Sequence, residues 1–168
     1  QLAKLGEFYA ECIKDHGISP DTLFGHAYKG IPLAVSCSVA LFNKYGMDVN
    51  YCFDRKEAKD HGESGVIVGK QLTDGEKVVI IEDVITAGTA IRQVIPVLKN
   101  AADVKIEAMV ISVDRMEKGK EGDLSAVQEV KRDFGIEVFS IVTIEDIIKA
   151  IEDGVIEGKE YLDRMLEY

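Results

Sequence analysis

Residues 77–83 read KVVIIED, a near-continuous run of β-branched side chains that ends in two acids. A strand with one face in water alternates apolar and polar residues. A run without alternation belongs to a strand covered on both faces, the situation of a parallel sheet with helices on each side. The rest of the chain supplies those layers. Leu2, Leu5, Phe8, Tyr9, Cys12 and Ile13 recur at helical spacing, and Gly17 and Pro20 end that helix. A strand at 22–25 leads through a turn at Lys29-Gly30 into a helix over 32–44, with Pro32 near its first turn. Strands follow at 49–54 and 66–68. After 77–83 come a Gly-containing turn, a helix over 89–100 and a strand over 104–113. Then a helix over 124–134, a strand over 137–142, a helix over 143–151 and a terminal helix over 156–168 packed on the body complete the pattern. Thr143 with Asp146 three residues on resembles a capping box, Asp replacing the usual Glu. Strands alternating with helices at this spacing give an α/β fold with a mostly parallel central sheet.

In 168 residues there is room for one well-formed core, so a single domain over 1–168 is expected. With 30 Asp+Glu against 20 Lys+Arg the net charge is −10, and no basic run is present, which argues against holding nucleic acid by its phosphates. No apolar stretch approaches the roughly 18 residues that span a bilayer. Cys12, Cys37 and Cys52 are odd in number and widely spaced, which fits neither a disulfide framework nor a zinc site; reduced thiols in or near the core of a cytoplasmic protein are expected. The chain starts at Gln1, already inside a helical pattern, so the true N-terminus is expected to precede it.

Open α/β sheets bind ligands at the carboxyl ends of their strands, and three segments of unusual composition fall there, with a fourth on the same side. In VVIIEDVITAGTA, 78–90, a buried strand delivers Glu82 and Asp83 and then a Thr-Ala-Gly-Thr turn opening a helix. Backbone amides, two hydroxyls and the helix dipole suit a phosphate there. The two carboxylates make sense beside hydroxyl groups or a cation, so a sugar phosphate with Mg²⁺ nearby accounts for both. The bland alternative is a strand end that caps a helix. In FGHAYKGIPLA, 24–34, Lys29 lies at a strand-to-helix turn facing the same crevice as Asp83; an isolated Lys there is ordinarily just solvated. The segment FDRKEAKDHGESG, 53–65, has no apolar period and carries Arg55, Lys56 and Lys59 among Asp54, Glu57, Asp60 and Glu63, which as composition reads as a long, mobile, solvated loop. In ISVDRMEKG, 111–119, Arg115 follows a strand on the crevice side, where pairing with Asp114 or Glu117 is the plain alternative.

Taken together these segments resemble the orotate phosphoribosyltransferases, members of the type I phosphoribosyltransferases. The run 78–90 is similar to the motif that binds phosphoribosyl pyrophosphate, GHAYKGIPLA to the loop that meets the pyrophosphate, and RKEAKDHGE to the mobile active-site loop. AVQEVKRDFGIEVFSIVTIEDI, 126–147, extends the likeness along the chain. His26 stands where Pro is frequent, a departure expected to alter the turn slightly without touching the ligand groups.

The resemblance implies the type I phosphoribosyltransferase fold. It also implies transfer of 5-phosphoribosyl from its diphosphate donor to orotate, giving orotidine 5′-phosphate and diphosphate, a step of pyrimidine (UMP) biosynthesis. Glu82 and Asp83 would face the ribose. Val84, Ile85, Thr86 and Ala87, with Gly88, Thr89 and Ala90, would form the 5′-phosphate loop. Tyr28, Lys29, Arg55, Lys56, Lys59 and His61 would meet the pyrophosphate, with Lys59, His61 and Asp83 the catalytic candidates. Arg115 and Thr86 would contact orotate, an Arg fork suiting a planar ring with a carboxylate. Mg²⁺ would be carried by the diphosphate and ribose hydroxyls, with no direct protein ligand. A homodimer is implied, the loop closing over the neighbouring subunit's site, and the family's N-terminal region, which contributes aromatic residues and a Lys near the orotate, would precede Gln1. The competing readings are a purine or uracil phosphoribosyltransferase, a non-catalytic regulator that senses the donor, and an acidic α/β domain with a vestigial pocket.

Overall fold

The computed structural model describes residues 1–55, 66–86, 88–120 and 123–166. Helix α1 (Leu2–Asp15) precedes strand β1 (Thr22–Gly25), helix α2 (Gly30–Tyr45), strand β2 (Asn50–Asp54) and the short strand β3 (Ile67–Gly69). Strand β4 (Lys77–Val84) leads into helix α3 (Thr89–Ala101), strand β5 (Lys105–Asp114), helix α4 (Ala126–Phe134), strand β6 (Glu137–Thr143) and helix α5 (Ile144–Glu152). The strands form one sheet in the order β3-β2-β1-β4-β5-β6. All neighbours are parallel except β3, which runs antiparallel on β2 at the edge.

The 77–83 run explains this arrangement at the level of individual side chains. Val78 and Ile80 enter a core completed by Ile91, Val94 and Leu98 of α3 and Val130 of α4. Val79 and Ile81 point the other way, into a core with Tyr9 and Ile13 of α1 and Leu33, Cys37 and Leu41 of α2. The two-residue period of a strand sends alternate side chains to opposite faces. Since both faces are covered, both sets must be apolar, and the sequence loses its alternation. The three cysteines are buried and free, and burial raises their thiols to about 11 for Cys12 and about 12 for Cys37 and Cys52.

Helix ends follow local rules. The capping box expected at Thr143 and Asp146 forms, and a second closes the start of α4, where Ser125 pairs reciprocally with Gln128. That cap sets the helix start at Ala126 rather than at 124. The tail differs from expectation. In place of a helix over 156–168 packed on the body, residues Lys159–Tyr161 form a 3-10 turn and Leu162–Leu166 a short helix α6, with no buried residue in either. Of the apolar residues described there, Val155, Ile156, Tyr161 and Leu166 are exposed, and only Leu162 and Met165 are half-buried. A longer helix with so little apolar surface to bury has little to offset its ordering entropy.

At the amino ends of the central strands, Glu76 holds the sheet together from below. Its carboxylate accepts from Thr22 Oγ1, from the Thr73 amide at 2.8 Å and hydroxyl at 3.0 Å, and from Lys70 Nζ at 3.3 Å. Burial opposes its ionisation, but these donors outweigh burial and keep the carboxyl below its usual range. Glu76→Ala strands the fully buried Thr22 hydroxyl. The expected cost is about 3 kcal/mol, a fall in Tm of roughly 6–12 °C in a chain of this size. A Tm within about 2 °C of the parent in a thermal melt would refute that role.

Candidate functional site

Strand order turns β1 and β4 into a switch point. From β1 the chain moves outward to β2 on one side, then returns to place β4 on the other. Connections therefore leave the carboxyl ends of β1 and β4 in opposite directions, and the gap between them is where an open α/β sheet receives a ligand. The turn after β1 carries Tyr28 and Lys29, β4 ends in Asp83 and Val84, and the turn after it carries Thr86. These residues line a cavity of about 400 Å³ together with His26, Ala27, Glu82, Thr89, Ala90 and Gln93. A larger cavity of about 560 Å³ lies between α1 and the ends of β5 and β6. Its lining includes Glu11 and Asp15, with His16 but neither Lys nor Arg, which suits an anionic ligand poorly.

The β1–α2 turn is held against the sheet by two glycines. A Cβ on Gly25 would lie 2.3 Å from the Gly30 carbonyl oxygen, and one on Gly30 would lie 2.8 Å from that of Ile81. Only residues without a side chain let the turn approach so closely. Lys29 thereby reaches across the gap, its Nζ donating to Asp83 Oδ2 at 2.9 Å. Tyr28 beside it is largely exposed, at 63%.

Glu82 and Asp83 are neighbours in sequence and line the same cavity, with opposite fates because their surroundings differ. Burial pushes the Glu82 carboxyl up to about 7, and the charge of Asp83 adds to the rise. Burial also opposes ionisation of Asp83, but the Lys29 ammonium and the Val84 amide, 2.9 Å from Oδ1, hold it below the usual carboxylate range. Lys29 in turn is shifted upward by its bond to Asp83. The Glu82 carbonyl is fixed from beneath by the buried Tyr9 hydroxyl, which lies 2.6 Å from it and 2.6 Å from Ser112 Oγ.

After β4, Ile85 is buried and Gly88 adopts a left-handed conformation, φ 63°, as the N-cap of α3. The Thr89 amide donates to the Thr86 carbonyl at 3.3 Å, closing the turn over the helix start. From the end of β5, Arg115 donates through Nη2 to Thr86 Oγ1 at 2.9 Å and to Glu117 Oε2 at 3.0 Å. Among the described residues its buried Nε has no hydrogen-bond partner. Arg55 follows the last residue of β2, its amide bonded to the Val66 carbonyl at 3.0 Å.

The structure thus brings Tyr28, Lys29, Glu82, Asp83, Thr86 and Arg115 together at the carboxyl ends of the central strands β1, β4 and β5. Lys56, Lys59, His61 and Ala87 lie outside the described residues. Sequence reasoning missed the supporting groups. Asp54 passed for one acid of a solvated loop, yet it ends β2, is 7% exposed, and accepts from the Ala27 amide at 2.7 Å and His26 Nδ1 at 2.8 Å. His26 accordingly does more than adjust the turn. It lines the cavity and ties the turn to β2, a role that an acid at the end of a neighbouring parallel strand would have signalled. Tyr9, read only as part of an apolar helix face, carries the polar contact to Glu82.

The raised Glu82 carboxyl makes stability depend on pH in a definite direction. Between its unfolded value of 4.5 and about 7 the folded chain binds more protons than the unfolded one. Stability contributed by this group is therefore greatest at low pH and falls as pH rises through that window. Glu82→Gln should raise Tm relative to the parent at pH 8 and change it little at pH 5, measured by thermal melts at both. Equal pH slopes in parent and variant would refute the shift.

Residues 1–147 match the family model of the phosphoribosyl transferase domain. The orotate phosphoribosyltransferase of Clostridium beijerinckii is 50% identical over 159 residues, 94% of this chain and 70% of that protein. That of Bifidobacterium adolescentis is 53% identical over 156 residues, 89% of this chain and 68% of its own length. The crystal structure of orotate phosphoribosyltransferase from Francisella tularensis superimposes with a TM-score of 0.83 at 39% identity, over 100% of this chain and 78% of that one. A Mycobacterium tuberculosis orotate phosphoribosyltransferase in complex with 5-phospho-alpha-D-ribosyl 1-diphosphate shares the fold, with a TM-score of 0.67 at 19% identity over 87% of this chain and 75% of the other. With the site at the β1/β4 switch point and relatives this similar along most of its length, the chain belongs to the orotate phosphoribosyltransferases.

Proposed function

We infer that this chain, as one catalytic domain, transfers the 5-phosphoribosyl group of 5-phospho-α-D-ribosyl 1-diphosphate to orotate, releasing diphosphate and orotidine 5′-phosphate. The observation that carries this reading is the meeting of Lys29 with Asp83 and of Thr86 with Arg115 across adjacent strand ends, 2.9 Å in each case. The first pair suits a polyphosphate beside a ribose and the second a planar anionic base.

In the reaction the anomeric C–O bond to the diphosphate breaks and the bond to N1 of orotate forms. Positive charge gathers on the ribose and negative charge on the leaving diphosphate. The chain's task is electrostatic, and it needs no nucleophile of its own. Exposed Lys29, with Tyr28 beside it, presents charge and a hydroxyl to the diphosphate. The amides and hydroxyls of 84–90 receive the 5′-phosphate at the start of α3. Asp83, ionised by its bond to Lys29, accepts from a ribose hydroxyl. Glu82, poised near neutrality, gains its charge most readily when positive charge develops nearby. Arg115, oriented by Thr86 and Glu117, meets the orotate. Arg55, Lys56, Lys59 and His61 would add positive charge at the departing diphosphate, with Lys59 and His61 assisting departure.

Among the described residues no group of three or more His, Cys, Asp or Glu side chains gathers into a metal site. The oxygens of Glu82 and Asp83 at the cavity floor are compatible with a Mg²⁺ that arrives on the donor's diphosphate and ribose hydroxyls. Bound there, Mg²⁺ would offset charge on the leaving group. No helix among the described residues is long and apolar enough to cross a membrane. The three free, buried thiols support a reducing compartment, and we place the enzyme in the cytoplasm. Val39 and Phe42, exposed on α2, support a homodimer.

The test follows orotate absorbance with donor and Mg²⁺, with hypoxanthine, adenine and uracil run in parallel. Consumption of orotate that requires both is expected, and turnover of another base instead would overturn the reading. Arg115→Ala should raise KM for orotate by roughly tenfold or more, the loss of a charge-assisted contact, and leave that for the donor largely unchanged. Equal effects on both would remove Arg115 from base binding. If Lys59 acts across the dimer, mixing Lys59→Ala with Asp83→Asn subunits should restore activity that neither homodimer has, while verified heterodimers without recovery would place Lys59 in its own subunit's site.

A further inference from the structure

The hydrogen-bond ladder between β1 and β2 ends at the Gly25 and Phe53 pair. Beyond it the two chains separate, and the next backbone donor on the β1 side, the amide of Ala27, is buried at 3% exposure. A buried amide needs an acceptor, and no strand partner remains. Asp54, the last residue of β2, supplies it with a side chain in place of a backbone carbonyl: Oδ1 accepts from Ala27 N at 2.7 Å. Its other oxygen, Oδ2, meets His26 Nδ1 at 2.8 Å. His26 is bound at both ends, since its carbonyl accepts from the Gly30 amide at 2.9 Å and closes the turn. Tyr28 and Lys29 lie between these anchors, exposed to solvent.

We propose that His26 is a positioning residue for the donor's diphosphate, holding the Tyr28-Lys29 turn through its Nδ1 bond to Asp54. The inference rests on the donor reading given above. Because Asp54 is an ionised acceptor, the imidazole donates from Nδ1, which makes one ring nitrogen the operative atom. Asp54 lies below its usual range despite burial, owing to the same two donors. A carboxylate that lost His26 would be left buried with backbone amides as its donors among the described residues, chiefly that of Ala27. The turn would then lose its tie to β2, and Tyr28 and Lys29 would no longer be held where the diphosphate is received.

Side-chain amides separate the two ring nitrogens. The Asn amide nitrogen falls where Nδ1 was, and that of Gln where Nε2 was. In the intact protein, His26→Ala should raise KM for 5-phospho-α-D-ribosyl 1-diphosphate about tenfold or more, the loss of one charge-assisted hydrogen bond, with KM for orotate within about twofold. His26→Asn should recover donor KM to within about threefold of the parent, and His26→Gln should behave like Ala. These margins sit well inside one factor of ten. An unchanged donor KM in His26→Ala, an equal rise in both KM values, or Asn no better than Gln overturns the proposal. If the Ala variant does not fold, the comparison of Asn with Gln at matched Tm decides alone. Calorimetric titration of the parent with the donor separates the two levels: a parent that fails to bind donor overturns the reading beneath, whereas a parent that binds, with variants that bind equally well, overturns only the role of His26.

Discussion

Burial of β4 on both faces is the constraint on which the site depends. A strand gripped by α1 and α2 on one side and α3 and α4 on the other cannot shift in register without moving every apolar side chain to the wrong face. Its carboxyl end is therefore fixed, and what leaves it is fixed with it: Glu82, Asp83, and the turn into α3. Tyr9 adds a polar bond from beneath, at 2.6 Å from the Glu82 carbonyl. Rigid placement matters because electrostatic stabilisation works only where charges are already aimed when the reaction begins.

On that floor the charges are arranged by environment more than by type. Two adjacent carboxyls ionise differently because one is desolvated and the other is bonded to Lys29. The −10 net charge of the chain is no obstacle to binding an anionic donor, since the cations that matter, Lys29 and Arg115, are gathered on the two turns and the strand end facing the gap. The turn that carries Lys29 is itself not part of the rigid core. Glycine contacts press it against β1 and β4, and the Asp54 carboxylate secures it laterally where the backbone ladder has run out.

Much of the fold was legible because its signals are local. The unalternating run at 77–83 reports two-sided burial, and the capping residues at Thr143 and Asp146 satisfy donors within one turn of themselves. Pro32 and Gly17 similarly mark boundaries through backbone geometry alone. The terminal helix over 156–168 failed for the complementary reason. Whether a marginal helix extends depends on a surface to pack against, and the sequence does not carry that information. The start of α4 was misplaced by two residues although Ser125 and Gln128 stood in capping positions, a local signal that was present and overlooked.

For the site, the sequence by itself determined the chemistry available: which turns carry acids, hydroxyls, glycines and cations, and, through the likeness of four segments to one family, which reaction they suit. Residue type and short spacing suffice for that, because each turn is built from consecutive residues. Tertiary structure alone decided how the turns meet. The strand order that puts β1 beside β4, the 54-residue separation closed between Lys29 and Asp83, and the pairing of His26 with Asp54 across 28 residues arise from sheet assembly. So do the opposite ionisation of Glu82 and Asp83 and the commitment of Arg115 to Thr86. Each is a contact between distant segments whose energy depends on burial and on direction, and neither quantity exists until the sheet has formed.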